Sequence, residues 1–311
     1  MITSDVLAAA AVIRDGGLVG MPTETVYGLA ADAANGDAVA RLYSVKGRPA
    51  DHPSIVHVAS IEDAKTWSTH WPDGAELLAR RFWPGPLTLI LPAGDRAHVN
   101  ALGGTGTVAL RVPDSPLALA LIDAAGTGLA APSANRFGRV SPTTALHVAE
   151  DLGRDVDAIL DGGRCEIGLE STIVDLTGAA PRLLRPGAIT AEMIEEALQT
   201  PLSPETADAP RAPGTLAAHY APRLPVILID DPSMVEDPRS TTLIAPTGTV
   251  AEGFHAVVDA GSTPAAYAER LYALLRASDM SGAARIAVLP PEQTGIGIAV
   301  LDRVRRAAAS A

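Results

Sequence analysis

The chain has 311 residues, a length that favours two domains over one. Of these residues 47% are hydrophobic and 19% are charged, which is typical of a folded globular protein. Its formal net charge of -12 argues against binding nucleic acid through an overall basic surface. The one cysteine, Cys165, excludes an internal disulfide and a metal site built from several thiolates. The N-terminus has no signal-peptide pattern and no apolar stretch is long enough to span a membrane, so we expect a cytoplasmic protein without a membrane partner.

Capping residues and apolar patterning predict alternating helices and strands over the first two hundred residues. Helices are expected at 4–15 with Ser4 as N-cap, and at 36–46, 73–83, 115–124 and 143–152. Strands are expected at 17–21, 54–59, 86–92, 107–112, 128–131, 157–161 and 171–176. With frequent Gly and Pro turns between them, these elements indicate an α/β fold whose twisted open sheet is flanked by helices.

A proline-rich segment at 201–225 has almost no periodic apolar pattern, which is typical of a semi-rigid linker. Beyond it, apolar runs alternate with amphipathic segments, as in a small βα domain with a parallel sheet. The apolar runs lie at 225–229, 241–245 and 284–289, and the amphipathic segments at 264–277 and 295–308. We therefore predict three parts, at 1–200, 201–225 and 226–311.

The run Thr23-Glu24-Thr25 follows a strand that ends at Pro22, and we expect a helix to begin within it. The backbone N–H groups of such a helix start could bind a polar ligand, or Thr23 could serve only as an N-cap. Both interpretations stay open on the residues alone.

Lys46 and Arg48 flank Gly47 at the end of a predicted helix. Cations at this position commonly complement the helix dipole. However, Lys46 and Lys65 are the only lysines in a chain that otherwise uses arginine, which favours a compact ammonium placed for a phosphate. His57, alone in a strand, has the pattern of a structural histidine more often than that of a ligand.

Arg111 lies in an otherwise apolar strand and needs a carboxylate partner, from the protein or from a ligand. Small polar residues follow predicted strands at Ser133, Asn135 and Ser141, where open α/β sheets bind ligands; the alternative is a turn with a helix N-cap at Ser141 or Thr143. Ser171 and Arg185 also lie at strand ends. Together the cations and small donors fit a polyphosphate plus a carboxylate, although no P-loop or GxGxxG motif is present.

Ordered motifs spanning essentially the whole chain resemble the long form of the YrdC-like family, the L-threonylcarbamoyladenylate synthases. They are PTETVYGLA, KGRP with IVHVA, WPGPLTLIL, VALRVP, APSAN with SPT, GLESTIVD, LLRPG and PGTLAAHYAP. The resemblance implies a YrdC-like sheet domain, with a smaller Rossmann-like α/β domain after the proline-rich linker. It also implies that L-threonine, bicarbonate or CO2, and ATP give L-threonylcarbamoyladenylate and pyrophosphate. The product would serve a separate tRNA threonylcarbamoyl transferase, so binding of tRNA is not required.

The resemblance also implies the site residues. L-Threonine would be bound by Thr25, His57, Arg111, Ala131 and Ser171. ATP would be bound by Arg48, His52, Thr107, Ser133, Asn135, Ser141, Arg185 and, as a lid from the linker, Tyr220. Lys46 and Arg48 would stabilise charge on the triphosphate, with Mg2+ carried by the nucleotide and no protein metal site. His52 replaces an asparagine found in many members, which puts its contact with the nucleotide in question.

Two alternatives belong to other functional classes. A non-enzymatic RNA-binding module is disfavoured by the acidic composition and by the lack of basic stripes with interleaved aromatic residues. A related carbamoyl-transfer enzyme of hydrogenase maturation would need zinc motifs that one cysteine cannot supply. No general base for the reaction emerges from the sequence.

Overall fold

The computed structural model of the chain describes residues 1–49, 51–204, 210–214, 216 and 218–309. These residues divide into two units. The first comprises Met1–Phe137, Pro142–Cys165 and Glu170–Thr215, and the second comprises Gly138–Ser141, Glu166–Leu169 and Leu216–Ala311. Residues 205–209, 215 and 217 of the predicted linker lie outside the described residues, and the predicted domain boundaries stay a prediction.

The first unit is built on a mixed ten-stranded sheet in the order β1-β8-β2-β3-β7-β4-β6-β5-β9-β10. Its strands are β1 Ile2–Thr3, β2 Val19–Met21, β3 Gly28–Asp32, β4 Ile55–His57, β5 Leu87–Pro92, β6 Thr107–Arg111, β7 Leu129–Ala130, β8 Ala158–Leu160, β9 Thr172–Asp175 and β10 Arg182–Arg185. Its α-helices are α1 Val6–Arg14, α2 Gly36–Lys46, α3 Ile61–Lys65, α4 Asp73–Phe82, α5 Val99–Leu102, α6 Pro116–Ala125, α7 Ala145–Leu152 and α8 Ala191–Leu198. The predicted α/β class is confirmed.

Local capping signals explain why the predicted helices form where they do. Asn35 begins α2 by accepting hydrogen bonds from two backbone N–H groups, and Gly47 ends it in the left-handed conformation, with φ 64°. The N-cap of α1 is Asp5 and not Ser4, because the Asp5 carboxylate accepts the N–H of Ala8. For α7 the cap is Thr144, one residue beyond the predicted candidate Thr143.

The predicted helix start at Thr23-Glu24-Thr25 is wrong. These residues form a turn, and the chain continues as strand β3, paired antiparallel with β2 on one side and β7 on the other. Leu29 and Ala31 join one hydrophobic cluster while Ala30 joins another, so β3 is buried on both faces. A strand buried in this way lacks polar alternation, which explains why its sequence gave no strand signal.

The second unit contains a four-stranded parallel sheet in the order β11-β14-β12-β13. Its elements are β11 Val226–Leu228, β12 Thr241–Ala245, β13 Ala256–Asp259, α9 Pro264–Ser278, β14 Arg285–Val288 and α10 Gly297–Ala308. The part of the chain that the structure describes also has three short 3-10 helices, at Gly153–Asp155 in the first unit and at Pro232–Met234 and Pro238–Ser240 in the second. The predicted strands and helices of this region are confirmed, and the edge strand β13 was missed. None of the helices in the described part of the chain combines the length and apolar character needed to cross a membrane.

Candidate active site

Five neighbouring strands bring polar side chains to one edge of the large sheet. His57 and Arg111 end the parallel strands β4 and β6, where they lie opposite each other. Strand β5 runs antiparallel to β6 and parallel to β9, so Ser171, just before β9, reaches the same edge. Arg185 ends β10, which is antiparallel to β9. The topology thus gathers His57, Arg111, Ser171 and Arg185, four residues widely separated in sequence.

The turn after β2 connects to this edge through a chain of hydroxyl groups. Thr23 Oγ1 donates to the carbonyl of Val26 at 2.6 Å and lies 2.8 Å from Thr25 Oγ1. Because the Thr23 proton is engaged with Val26, the Thr25 hydroxyl is the donor between the two threonines. Thr25 Oγ1 in turn accepts a hydrogen bond from Arg111 Nη1 at 2.9 Å.

Arg111 is almost fully buried and its guanidinium is fixed on three sides. Nε donates to the carbonyl of Gly85 at 3.1 Å, Nη1 donates to Thr25, and Nη2 lies 2.6 Å from Glu24 Oε1. Nη2 and both oxygens of Glu24 nevertheless lack a partner with hydrogen-bond geometry among the described residues. The carboxylate that Arg111 requires is therefore supplied by the protein, as a buried ion pair with Glu24.

His57 is buried beside this pair. Burial in the first place, and the positive charge of Arg111 in the second, lower the pKa of His57 to about 3, against the smaller opposing effect of the carbonyls of Ile55 and Leu129. The imidazole is therefore neutral at physiological pH. Its Nδ1 has no hydrogen-bond partner within the described ranges. A neutral ring next to a cation can accept or donate one hydrogen bond without adding charge to the pocket.

Lys46, the last residue of α2, holds the loop that follows β7. Its Nζ donates to the carbonyl of Asn135 at 2.6 Å and also to the carbonyl of Ser133. Its own carbonyl accepts the N–H of Phe137 at 2.8 Å. Burial, and then the charge of Arg48, hold the pKa of the ammonium well below its usual range. Lys46 thus fixes main-chain atoms of the APSAN motif.

Arg48 follows the helix-ending Gly47 and fixes the next segment of chain. Its Nη2 donates to the carbonyl of Pro53 at 2.7 Å and its Nε to that of His52 at 3.3 Å. The guanidinium lies 5.9 Å and 6.0 Å from the ring centroids of Tyr43 and Phe137. Partial burial, and then the charge of Arg48, lower the pKa of His52. Arg48 and His52 are therefore adjacent, and Lys46 lies two residues before Arg48 in the chain.

Ser171 and Arg185 are joined directly. Arg185 donates from Nε to the Ser171 carbonyl at 3.0 Å and from Nη2 to the Ser171 hydroxyl at 3.1 Å. Its Nη1 donates to the carbonyl of Pro213 at 2.7 Å. The Ser171 hydroxyl also lies 2.7 Å from that of Thr88. Ser171, predicted to bind threonine, is therefore hydrogen-bonded directly to Arg185, predicted to bind ATP.

The remaining predicted residues of the first unit lie in the segment after β7 and at the start of β6. Ala131 donates its N–H to the carbonyl of Ile55 at 2.9 Å, and Ser133 pairs with Gly28. The Asn135 amide donates to the carbonyl of Arg136 at 2.7 Å. Thr107 begins β6, opposite the end that carries Arg111, and its hydroxyl lies 2.9 Å from that of Thr105.

Ser141 and Tyr220 belong to the second unit. Both are buried, and Tyr220 has a positive φ of 62°. Its ring stacks on Tyr272 with centroids 5.8 Å apart, and the guanidinium of Arg303 lies 5.3 Å from its centroid. The role of Tyr220 as a lid over the nucleotide stays a prediction.

Sequence reasoning missed two residues of this region, Glu24 and Thr88. Thr88 lies within an apolar strand and carried no signal of its own. Glu24 did carry one, because it is an acidic residue between two threonines directly after a buried strand, in a chain where Arg111 needed a carboxylate.

Comparison with known proteins identifies relatives over the whole chain. The Sua5/YciO/YrdC family model, described as "Telomere recombination", matches residues 11–187. A second model, described as "Threonylcarbamoyl-AMP synthase, C-terminal domain", matches residues 189–309.

Curated relatives and a solved structure agree with these matches. Threonylcarbamoyl-AMP synthase of Pyrococcus abyssi is 42% identical over 96% of this chain and 92% of its own length. That of Bacillus subtilis is 47% identical over 71% of this chain and 66% of its own. The crystal structure of P. abyssi Sua5 complexed with L-threonine has a TM-score of 0.91 at 39% identity, covering 98% of this chain and 94% of that one.

Proposed function

The chain belongs to the Sua5/YciO/YrdC family, and from this premise we propose how its residues carry out the family's reaction. It is an adenylyl-transferring enzyme that makes L-threonylcarbamoyladenylate from L-threonine and ATP for the modification of tRNA. The observation that carries the assignment of roles is the buried cluster of Arg111, Thr25 and Glu24, which provides a fixed guanidinium next to hydroxyl groups.

L-Threonine binds with its carboxylate on Arg111. This guanidinium has an Nη2 group without a hydrogen-bond partner in the described part of the chain, so it retains N–H donors for a carboxylate. The hydroxyl of Thr25 and the neutral ring of His57 lie next to Arg111, and Ser171 reaches the same edge of the sheet. These groups recognise the polar atoms of the substrate, and Ala131 lines the pocket.

ATP binds to cations and small donors, several of which lie in the loop after β7 and in the segment after α2. Lys46 and Arg48 spread the charge that builds on the triphosphate in the transition state. Within the first unit the proposed ATP-binding set is Arg48, His52, Thr107, Ser133, Asn135 and Arg185. The contributions of Ser141 and Tyr220 stay predictions. Mg2+ arrives with the nucleotide and neutralises its phosphates.

The reaction proceeds through a carbamate. The threonine amine combines with CO2 or bicarbonate, the carbamate oxygen attacks the α-phosphorus of ATP, and pyrophosphate leaves. Positioning of the two substrates and electrostatic stabilisation by the arginines supply most of the catalysis. The product passes to a tRNA threonylcarbamoyl transferase, without tRNA bound to this enzyme, in the cytoplasm.

Pyrophosphate release by the purified full chain tests this function. The protein is incubated with ATP, Mg2+, bicarbonate and L-threonine, and the nucleotide product is identified by mass spectrometry. We expect release that requires threonine and bicarbonate together, with the mass of threonylcarbamoyl-AMP. Cleavage of ATP without threonine would overturn the substrate assignment, and binding of RNA with no turnover would overturn the enzymatic one.

A further inference from the structure

We infer that Glu24 binds the α-ammonium group of the amino-acid substrate and accepts its proton, which frees the amine to react with the one-carbon substrate. This inference rests on the proposed function, because it assigns a base to that same site. Glu24 is absent from the threonine-binding and ATP-binding sets predicted above. It supplies the general base for which the sequence offered no candidate.

The first observation is the state of the Glu24 carboxylate. Glu24 is only 7% exposed, yet neither of its carboxylate oxygens has a hydrogen-bond donor in the described part of the chain. Buried carboxylates normally accept several hydrogen bonds, since otherwise the loss of water is not compensated. Among the described residues, the charge recorded in contact with it is Nη2 of Arg111, at 2.6 Å but without hydrogen-bond geometry. Glu24 therefore has unused acceptor capacity next to a predicted substrate-binding group.

The second observation is that the unused acceptors of Glu24 adjoin unused donors of Arg111. An α-amino acid carries a carboxylate and an ammonium on the same carbon, so it presents opposite charges side by side. With its carboxylate on Arg111, its ammonium meets Glu24 and completes the hydrogen bonds that both side chains lack. The two charges of the buried ion pair are thus complementary to the two charges of a zwitterionic amino acid.

The other ionisable groups around Glu24 are poor proton acceptors. Arg111 on β6 is already protonated, and burial raises the pKa of the nearby Cys165 thiol to about 12, so that the thiol keeps its proton. His57, beside Arg111, is a weak base because its pKa is lowered to about 3. The hydroxyls of Thr23 and Thr25 are engaged with each other and with Arg111.

Proton transfer from the substrate ammonium to Glu24 is balanced in atoms and electrons. An N–H bond of the substrate ammonium breaks, an O–H bond forms on Glu24, and the electron pair left on nitrogen attacks the carbon of CO2 or bicarbonate. With CO2, formation of the carbamate releases a second proton to water. With bicarbonate, a water molecule leaves. Glu24 later returns its proton to solvent, and no oxidant or reductant is needed.

Binding measurements with Glu24→Gln test the ammonium contact. Calorimetry compares L-threonine with 2,3-dihydroxybutanoate, which replaces the ammonium by a hydroxyl, on the full chain. We expect Glu24→Gln to weaken threonine binding by roughly 10- to 100-fold, as for loss of a charged hydrogen bond, and to leave binding of the analogue nearly unchanged. An equal loss for both ligands would show that Glu24 serves only to hold Arg111, and would overturn the inference.

The wild-type chain gives a second measurement that does not depend on how well the variant folds. It should bind L-threonine more tightly than 2,3-dihydroxybutanoate, by about tenfold or more, because only threonine has an ammonium group that can form a charged hydrogen bond with Glu24. Equal affinities would mean that no carboxylate meets the ammonium, and would overturn the inference without any substitution.

The pH profile tests the proton transfer. In Glu24→Gln, kcat should fall by about 10²- to 10⁴-fold near neutral pH and rise about tenfold with each pH unit, because solvent must deprotonate the ammonium. Glu24→Asp should restore part of kcat and the flatter wild-type profile. A Glu24→Gln profile parallel to that of the wild type would refute the role as base. If the wild type itself releases no pyrophosphate, the proposed function fails, whereas a failure confined to the Glu24 comparisons overturns this inference alone.

Discussion

His57 and Arg111 lie opposite each other as the last residues of the parallel strands β4 and β6, a neutral imidazole next to a permanent cation. Both are buried, and the charge of Arg111 makes protonation of His57 unfavourable. The imidazole therefore adds no charge to this edge of the sheet over the physiological pH range.

The stability of the fold should depend on pH through His57. The unfolded chain binds a proton at this residue below pH 6.5, whereas the folded chain does so only near pH 3. The free energy of unfolding should therefore fall as the pH decreases through this window, by up to about 1.4 kcal/mol per unit from this group. Urea unfolding at several pH values measures it. His57→Gln should flatten the dependence, and the exposed His70→Gln should not; identical slopes in the two variants would contradict the burial argument.

Removal of Arg111 alone should lower the free energy of unfolding more than removal of both partners of the ion pair. Arg111→Ala leaves the buried Glu24 carboxylate without a countercharge, which typically lowers the free energy of unfolding by about 3–5 kcal/mol. The double variant Glu24→Gln/Arg111→Ala removes both charges and should be less destabilised than Arg111→Ala. Chemical denaturation of the three proteins measures this, and a double variant that is the least stable would contradict it.

Threonine affinity gives a separate test of Arg111. Arg111→Lys keeps the charge but loses the planar fork, so threonine binding should weaken by about tenfold or more while ATP binding is retained. Calorimetry with each ligand separates the two. Unchanged threonine affinity would show that the substrate carboxylate binds elsewhere.

Ser171 should couple the two substrate sites through Arg185. Ser171→Ala removes a hydrogen-bond acceptor of Arg185, so ATP affinity should fall together with threonine affinity. A double-mutant cycle with Arg185→Lys should give a coupling energy of about 0.5–3 kcal/mol, as for directly bonded side chains. Strict additivity of the two substitutions would mean that the contact carries no energy.

The two lysines provide a matched comparison. Lys46→Met leaves the carbonyls of Ser133 and Asn135 without their buried donor, and should lower the free energy of unfolding by about 1–3 kcal/mol. Lys65→Met removes a partly exposed ion pair with Glu76 and should change it by less than about 1 kcal/mol. Urea denaturation compares the two variants, and equal effects would contradict the structural role of Lys46.

Much of the fold follows from local sequence signals. Asn35 and Gly47 cap the two ends of α2, and Ser115 and Gly126 cap those of α6. A cap satisfies backbone groups in the adjacent helical turn, so its signal is local in the sequence. Strand β3 escaped prediction since its burial on both faces leaves no periodic pattern.

The candidate site was predictable only in part. The need of Arg111 for a carboxylate could be read from its apolar strand, but its partner Glu24 lies far along the chain and on a turn. Such a contact depends on the order of strands in the sheet, which no local pattern encodes. For the same reason the bond between Ser171 and Arg185 appears only once β9 and β10 are paired.

The backbone of the APSAN loop is held by Lys46 through main-chain atoms, so its conformation does not depend on the side chains of Ser133 and Asn135 for these contacts. Lys46 hydrogen-bonds to main-chain atoms of the loop, the carbonyls of Ser133 and Asn135 and the N–H of Phe137. Point substitutions at Ser133 or Asn135 can therefore alter ligand preference while the path of the backbone is retained. Ligand specificity can therefore evolve by single substitutions in the loop. A substitution of Lys46, by contrast, would remove the hydrogen bonds that hold the loop backbone.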